Sequence, residues 1–186
     1  MANVDAAFGF VPVRALSGNA MRTNKYTITS TLAENIFNGD LVMLHTDGTL
    51  QPSNGVSEAA YSIGIFGGCS YTASDGSYVY SEYWPSGTTA TKIIAYVYDD
   101  PNIVFKVQSD GTPAQANIGE CCDVDPGAGS TTTGQSGFQL VATMAATLAA
   151  CKIIALWDAP ENSFGTNAVM EVILNEHLLA HNTAGI

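Results

Sequence analysis

Short β-prone runs separated by tight-turn residues dominate the sequence, and no segment has the 3.6-residue apolar period of a long helix. Residues 38–52 and residues 61–84 each have the pattern of a β-hairpin, because Asp-Gly at 47–48 and Ser-Asp-Gly at 74–76 provide turns between strand-forming runs. Eight or more such strands predict an all-β fold, either a single compact β-sandwich or a small β-barrel of short antiparallel strands. A jelly-roll topology fits the same pattern, since alternation of side chains does not reveal strand order.

Residues 92–111 predict two further strands joined by a turn at residues 99–102, where Asp-Asp-Pro-Asn combines a fixed proline φ with side chains that cap backbone amides. The first of these strands carries apolar residues on both faces, which predicts a central position in its sheet. Residues 112–119 have the composition of one helical turn. The remaining strand candidates are residues 25–31, 138–145, 149–158 and 168–177.

The length of 186 residues suits one well-packed domain, because a chain of this size buries about 70% of the surface that its unfolded form exposes. Residues 1–22 contain Gly9, Pro12 and Gly18, which break every candidate helix in that stretch. We therefore expect an extended N-terminal arm over residues 1–22 and a single β domain over residues 23–186.

The net charge of -11 reflects a scarcity of basic residues, and only 12% of the chain is charged against about 25% in an average protein. The six cations are Arg14, Arg22, Lys25, Lys92, Lys106 and Lys152. Because they are scattered along the sequence, we expect no nucleic-acid partner, and the acidic surface repels anionic lipid headgroups. The absence of an 18-residue apolar run and of signal-peptide features predicts no membrane partner and synthesis in a cytoplasm without export by that route.

The four cysteines are too few for the disulfide framework of a small secreted scaffold, so we expect reduced thiols. Cys121 and Cys122 could combine with His177 and His181 in a zinc site, but adjacent cysteines project in different directions and lack the usual spacer. We predict one buried and one partly exposed thiol on a strand, both histidines on a terminal tail, and no metal.

The stretch ECCDVDPGAGSTTTG is expected to contain a short strand at 120–124 and a mobile surface loop at 125–134. It is not a phosphate-binding loop, because no lysine lies between Lys106 and Lys152. Two pairs of acidic residues are candidate metal ligands. Turn chemistry accounts for Asp99 and Asp100, whereas a calcium site at Asp123 and Asp125 remains a hypothesis.

Nucleophilic catalysis is not supported by the sequence. The chain has three histidines but no Gly-x-Ser-x-Gly motif, and Ser136 in GQSG has the wrong spacing. We therefore expect a protein that is not an enzyme, with no catalytic residue and no cofactor.

An aromatic cluster in residues 78–84 suggests a contact surface for protein or carbohydrate. Tyr78 and Tyr80 fit the alternative role of core-filling strand residues. Tyr83 and Trp84, in the segment SEYWPSGTT, are the better contact candidates.

The order of several segments resembles a family of tailed-bacteriophage virion proteins encoded near the major capsid protein. The resemblance runs from the FGFVPVR arm to the NEH tail and is carried by GDLVMLHTDGTL, IGIFGGCSYT, SEYWPSGTTAT, AYVYDDPNIVFKVQSDG, STTTGQSG and AVMEVILNEH. The segment GDLVMLHTDGTL followed by IGIF is also similar to more widely distributed phage head-decoration proteins.

This resemblance implies a capsid cement or decoration protein that binds the outer surface of the assembled phage head and bridges capsomers. Its expected partners are the major capsid protein and further copies of itself, as a dimer or trimer. No catalytic residue comes with the family. From the sequence we infer partner contacts at Phe8, Phe10 and Val13 in the arm and at Tyr83 and Trp84. A carbohydrate- or host-surface-binding head appendage is the alternative.

Overall fold

The computed structural model describes residues 3–55, 62–145 and 148–180, and these residues form fourteen β-strands and one short 3-10 helix. The strands are β1 (Val11–Ala15), β2 (Asn24–Tyr26), β3 (Ile36–Phe37), β4 (Leu41–Leu44), β5 (Leu50–Pro52), β6 (Ser62–Ala73), β7 (Tyr78–Ser81), β8 (Tyr83–Trp84), β9 (Ala90–Tyr98), β10 (Ile103–Gln108), β11 (Cys121–Asp125), β12 (Gln139–Ala145), β13 (Cys151–Leu156) and β14 (Val169–Leu174). The 3-10 helix is Gln115–Asn117, which confirms the expected helical turn. No helix among the described residues is long and apolar enough to cross a membrane.

The strands form two large antiparallel sheets and one small one. Sheet A has the order β1-β10-β14-β13-β11-β12, and sheet B has the order β2-β9-β6-β4-β5 with β7 also paired to β6. The third sheet is the pair β3-β8. The predicted all-β fold is confirmed, as a compact β-sandwich of antiparallel sheets.

Two clusters of buried apolar side chains form the core. The first combines residues of sheet A with Leu41 and Ile65 from sheet B. The second combines Val42 and Phe66 of sheet B with the β3-β8 pair. Neighbouring residues of β4 and β6 therefore enter different clusters, because successive side chains of a strand point to opposite faces. Sheet B is covered on both faces here, as the continuous burial of residues 62–66 requires.

The two predicted hairpins are confirmed as β4–β5 and β6–β7. In each turn an aspartate accepts a hydrogen bond from the backbone amide two residues further on. Asp47 Oδ1 accepts from the Thr49 amide at 3.0 Å, and Asp75 Oδ1 accepts from the Ser77 amide at 2.9 Å. These local bonds fix the turn geometry, and the turn sets the register of each hairpin.

The turn at residues 99–102 joins two confirmed strands that lie in different sheets, β9 in sheet B and β10 in sheet A. The expected turn chemistry holds for Asp100, whose Oδ1 accepts a hydrogen bond from the Asn102 amide at 2.9 Å. Asp99 has a different role. It is buried and accepts hydrogen bonds from the Asn24 side chain and the Tyr26 hydroxyl on β2. These hydrogen bonds link the connection between the two sheets to β2. The predicted central position of β9 is confirmed, because it lies between β2 and β6.

Part of the N-terminal segment belongs to sheet A. Residues 11–15 form β1, the edge strand of sheet A, paired with β10. Phe10 is only 1% exposed and meets Phe105 edge to face, with ring centroids 6.2 Å apart. Residues 16–22 are exposed. The domain boundary expected after residue 22 stays a prediction.

Replacing Phe10 with alanine is expected to lower the free energy of unfolding by about 3–5 kcal/mol, because the change leaves a cavity beside Phe105. Urea denaturation followed by circular dichroism measures the loss. The matched control is Val4→Ala, since the Val4 side chain is 74% exposed and its removal changes stability by no more than about 0.5 kcal/mol. Equal stabilities of the two variants would contradict a core role for Phe10.

Candidate functional site

Two of the five residues expected to contact a partner lie in the core of the chain itself. Phe10 packs on Phe105 as described above. Trp84 is 0% exposed, and its ring meets Tyr71 edge to face at a centroid distance of 5.2 Å. The two-residue strand β8 pairs with β3 and directs Trp84 into the second core cluster. Neither side chain is accessible to a partner, which corrects the expectation for both.

The other three expected contact residues are half-buried. Tyr83 stacks on Phe37, with ring centroids 5.4 Å apart and an interplanar angle of 16°. Val13 lies on the edge strand β1, at the register shift between Pro12 and Arg14. Phe8 lies outside the strands, and the centre of its ring is 5.9 Å from the ammonium group of Lys106 on β10. Each of them keeps some exposed surface, but Tyr83 is already engaged with the chain's own aromatic residues.

The most exposed aromatic side chains are Tyr78 and Tyr80, at 69% and 61%. The expectation that these two fill the core is wrong. The register of β7 against β6 places Val79 opposite the buried Tyr71, so Val79 faces inward and both tyrosines face outward. The alternation Tyr-Val-Tyr-Ser was readable in the sequence, but the inward face could not be assigned without the partner strand.

We define the tyrosine face as Tyr78, Tyr80 and Tyr96 on the outer side of sheet B. The rings of Tyr80 and Tyr96 are 6.1 Å apart, and the Tyr96 hydroxyl is 3.1 Å from Oγ of the buried Ser70. Burial and the negative charge of Glu82 raise the pKa of Tyr80, so its phenol is neutral at physiological pH. Strand β7 pairs with β6 alone among the described strands, so the tyrosine face adjoins a sheet edge.

One cysteine of the adjacent pair is buried and the other is partly exposed, as predicted. Cys122 is buried and lies opposite Cys151 across the β11–β13 ladder, whereas Cys121 is half-buried. Burial raises the pKa of Cys122 to about 12, so it remains a thiol at neutral pH. His177, expected on a terminal tail, is fully buried, and burial lowers its pKa. His181 lies outside the described residues.

A metal site is not formed by the acidic residues that the structure describes. Asp123 Oδ1 accepts a hydrogen bond from the Ala150 amide, and Asp125 is exposed at the end of β11. Within residues 3–55, 62–145 and 148–180, no three His, Cys, Asp or Glu side chains converge as metal ligands would. The calcium hypothesis at Asp123 and Asp125 gains no support from this geometry.

The glycine-rich loop at residues 126–138 packs on the chain itself. Gly127 and Gly137 approach so closely that a Cβ on either would collide with the backbone of the other segment. The amide of Asn38 donates to the Gly134 carbonyl at 2.9 Å, and the amide of Ser136 donates back to the Asn38 carbonyl at 3.0 Å. The expected surface loop at residues 125–134 is therefore held to the chain near both ends, and its mobility stays a prediction.

A buried carboxyl group, Asp40, lies where this loop meets β3. Its Oδ2 accepts a hydrogen bond from the Phe37 amide at 2.8 Å, and the Ser136 hydroxyl also stabilises the charged form. Burial outweighs both and raises the pKa of Asp40 to about 6. The folded state therefore binds this proton more tightly than the unfolded chain, whose Asp titrates near 3.8.

Comparison of the chain with protein-family models, with curated proteins and with solved structures finds no match.

Asp40 makes stability fall as the pH rises from about 4 to about 6, because ionisation of the buried carboxyl is unfavourable in the folded state. Asp40→Asn removes this charge and keeps an acceptor oxygen for the Phe37 amide. We expect the variant to be more stable than the wild type at pH 7 by up to about 3 kcal/mol, the equivalent of a shift of about two pKa units. Urea unfolding at pH 4, 5, 6 and 7 measures the difference.

The control for this prediction is Asp75→Asn at an exposed turn. Hydrogen bonds from Ser77 lower the pKa of Asp75, so its ionisation favours the folded state, and its effect on stability between pH 4 and 7 is small and opposite in sign to that of Asp40. A stability difference between Asp40→Asn and wild type that stays constant over this range would rule out the titration of Asp40.

Proposed function

We propose that the chain is a structural virion protein, a capsid cement or decoration protein that binds the outer surface of the assembled phage head and stabilises it by bridging capsomers. The observation that carries the proposal is the tyrosine face, an exposed aromatic surface beside a sheet edge. The major capsid protein is the proposed partner, with self-association as a dimer or trimer, and the capsid exterior is the proposed location.

The chemistry of the tyrosine face supports a protein contact. Tyrosines on a strand offer a large, rigid contact area at low cost in side-chain entropy, and they are enriched among residues that dominate binding energy. The rings of Tyr80 and Tyr96 pack against each other, and the hydrogen bond between the Tyr96 hydroxyl and Ser70 fixes the Tyr96 ring. A neutral aromatic surface can be buried without desolvating a charge.

The distribution of positive charge supports the exclusion of nucleic acid from the proposal. Arg14 forms an ion pair with Glu171, and the Lys106 ammonium lies 4.9 Å from the centre of the Trp157 ring. Two of the six cations are thus engaged within the chain, and binding to a polyanion requires a cluster of available ones.

A modest interface is sufficient for a cement protein. The head offers many equivalent sites, and an oligomer that bridges capsomers gains affinity from the effective concentration of its second contact. The proposal needs neither a catalytic residue nor a cofactor.

The double substitution Tyr78→Ala, Tyr80→Ala is expected to weaken binding to heads of the phage that encodes the chain. Loss of two aromatic contacts costs about 2 kcal/mol or more, which is roughly a 30-fold increase in Kd. Cryo-electron microscopy and quantitative gels of heads incubated with purified protein measure the copies bound.

Leu148→Ala is the matched control, because Leu148 is 73% exposed and lies between β12 and β13 of the other sheet. Unchanged occupancy by the tyrosine variant would eliminate the tyrosine face as the contact. Absence of wild-type protein from the heads would refute the cement function itself.

A carbohydrate- or host-surface-binding appendage is the second candidate. Its original location at Tyr83 and Trp84 does not suit it, since Trp84 is buried, but the rings of Tyr78 and Tyr80 are free to stack on sugar. Glycan binding that is lost in the same double variant, together with no binding to bare heads, would favour this candidate.

A further inference from the structure

Residues 3–8 are attached to the rest of the chain by side chains and form no strand. Asn3 is the first attachment. Its side-chain amide donates to the carbonyls of Ser163 and Thr166, both at 2.9 Å, and accepts from the Ser163 amide at 3.1 Å. One asparagine therefore joins the segment to the backbone of the β13–β14 connection.

Gln108 on β10 is the second attachment, and it contacts the main chain of the segment. Its Nε2 donates to the Val4 carbonyl at 2.8 Å, and its Oε1 accepts from the Ala6 amide at 2.9 Å. Bonding to the carbonyl of one residue and the amide two residues later is what a neighbouring strand does, so Gln108 recognises an extended backbone. The side chain is buried, and it also donates to the Asn167 carbonyl.

Phe8 is the third attachment. The Lys106 ammonium lies 5.9 Å from the centre of the Phe8 ring and 4.9 Å from that of Trp157, within the range of cation–π attraction. A cavity of about 340 Å³ adjoins Val4, Phe8 and Trp157. We call the set Lys106, Gln108, Trp157, Ser163 and Thr166 the arm groove.

The segment meets the core at Gly9, which we take as the hinge of the exchange proposed below. Residues 4–7 are exposed, whereas Phe10 is fixed in the core and its amide donates to the Gly39 carbonyl at 2.9 Å. Between them Gly9 has φ +71°, a conformation that favours glycine. The six residues from 3 to 8 can extend roughly 20 Å from this hinge.

We propose that the arm groove of one copy receives residues 3–8 of a second copy, so that neighbouring molecules exchange their N-terminal segments. The occupant follows from the contacts, because this segment already matches the groove at Asn3, Val4, Ala6 and Phe8. An exchanged segment makes the same bonds as in the single chain, so only the hinge conformation and the cost of association differ. The inference supplies a contact for the self-association in the proposed function, but its test requires no capsid.

Photo-cross-linking between isotopically distinct copies tests the exchange. One protein carries p-benzoylphenylalanine in place of Val4, which borders the cavity, and the other is uniformly ¹⁵N-labelled and otherwise unmodified. The two are unfolded together and refolded as a mixture, and far-UV circular dichroism must match that of the untreated protein. After irradiation, mass spectrometry identifies the peptides joined to position 4.

Exchange predicts products that join a ¹⁴N segment to ¹⁵N peptides from residues 157–169. Products within ¹⁴N chains alone, at every protein concentration tested, would overturn the proposal. Asn3→Ala in the photo-labelled protein removes the same bonds within one chain and between copies, so it should lower the total yield of products at residues 157–169, about fivefold for one net hydrogen bond, and leave the ratio of mixed-isotope to ¹⁴N products unchanged. The control Asp5→Ala alters an exposed side chain of the same segment and should leave the yield unchanged.

Asn3→Ala should fold normally, because the hydrogen bonds of Asn3 are exposed. Gln108→Leu removes the buried contact to the segment. A total yield at residues 157–169 that is undiminished in Asn3→Ala would show that the arm groove does not hold the segment. Neither result bears on binding to phage heads, so failure of this inference and failure of the cement proposal are distinguishable.

Discussion

The alternation of side chains along β6 is the constraint on which the rest of the structure depends. This twelve-residue strand pairs with β4, β7 and β9, and its two faces contribute to both core clusters. A shift of one residue would send Ile65 and Phe66 to the wrong clusters and turn the tyrosines of β7 inward. Core packing and the exposure of the tyrosine face are therefore set by one register. The same strand that stabilises the molecule determines which of its aromatic residues a partner can meet.

Features that depend on neighbouring residues were predictable from the sequence. The turns at residues 47–48 and 74–76 carry their own capping aspartates, so both hairpins followed from local chemistry. Pairing between distant segments was not predictable, because it depends on burial summed over the whole fold. Thus β9 and β10 separate into different sheets, and residues 11–15 become an edge strand. The buried state of Trp84 depends on a two-residue pairing with β3, for which the sequence carries no signal.

The tyrosine face could not be predicted from the sequence for the same reason. Sequence patterns identified residues 78–84 as aromatic and placed them in a hairpin, but they could not separate inward from outward side chains. Similarly, the residues of the arm groove come from β10 and from the β13–β14 connection, which are distant in sequence. A glutamine on a strand gives no hint that it bonds to the backbone of residues 4 and 6. Surfaces assembled from several segments become visible only when the fold brings them together.

The fluorescence of the two tryptophans reports on two different parts of the protein. Trp84 is fully buried in the second core cluster, whereas Trp157 is half-buried beside Lys106 in the arm groove. The first should emit at short wavelength and be shielded from aqueous quenchers, and the second should emit further to the red and be quenched by soluble iodide or acrylamide. With only two indoles to assign, intrinsic fluorescence can follow the core and the groove separately in unlabelled protein.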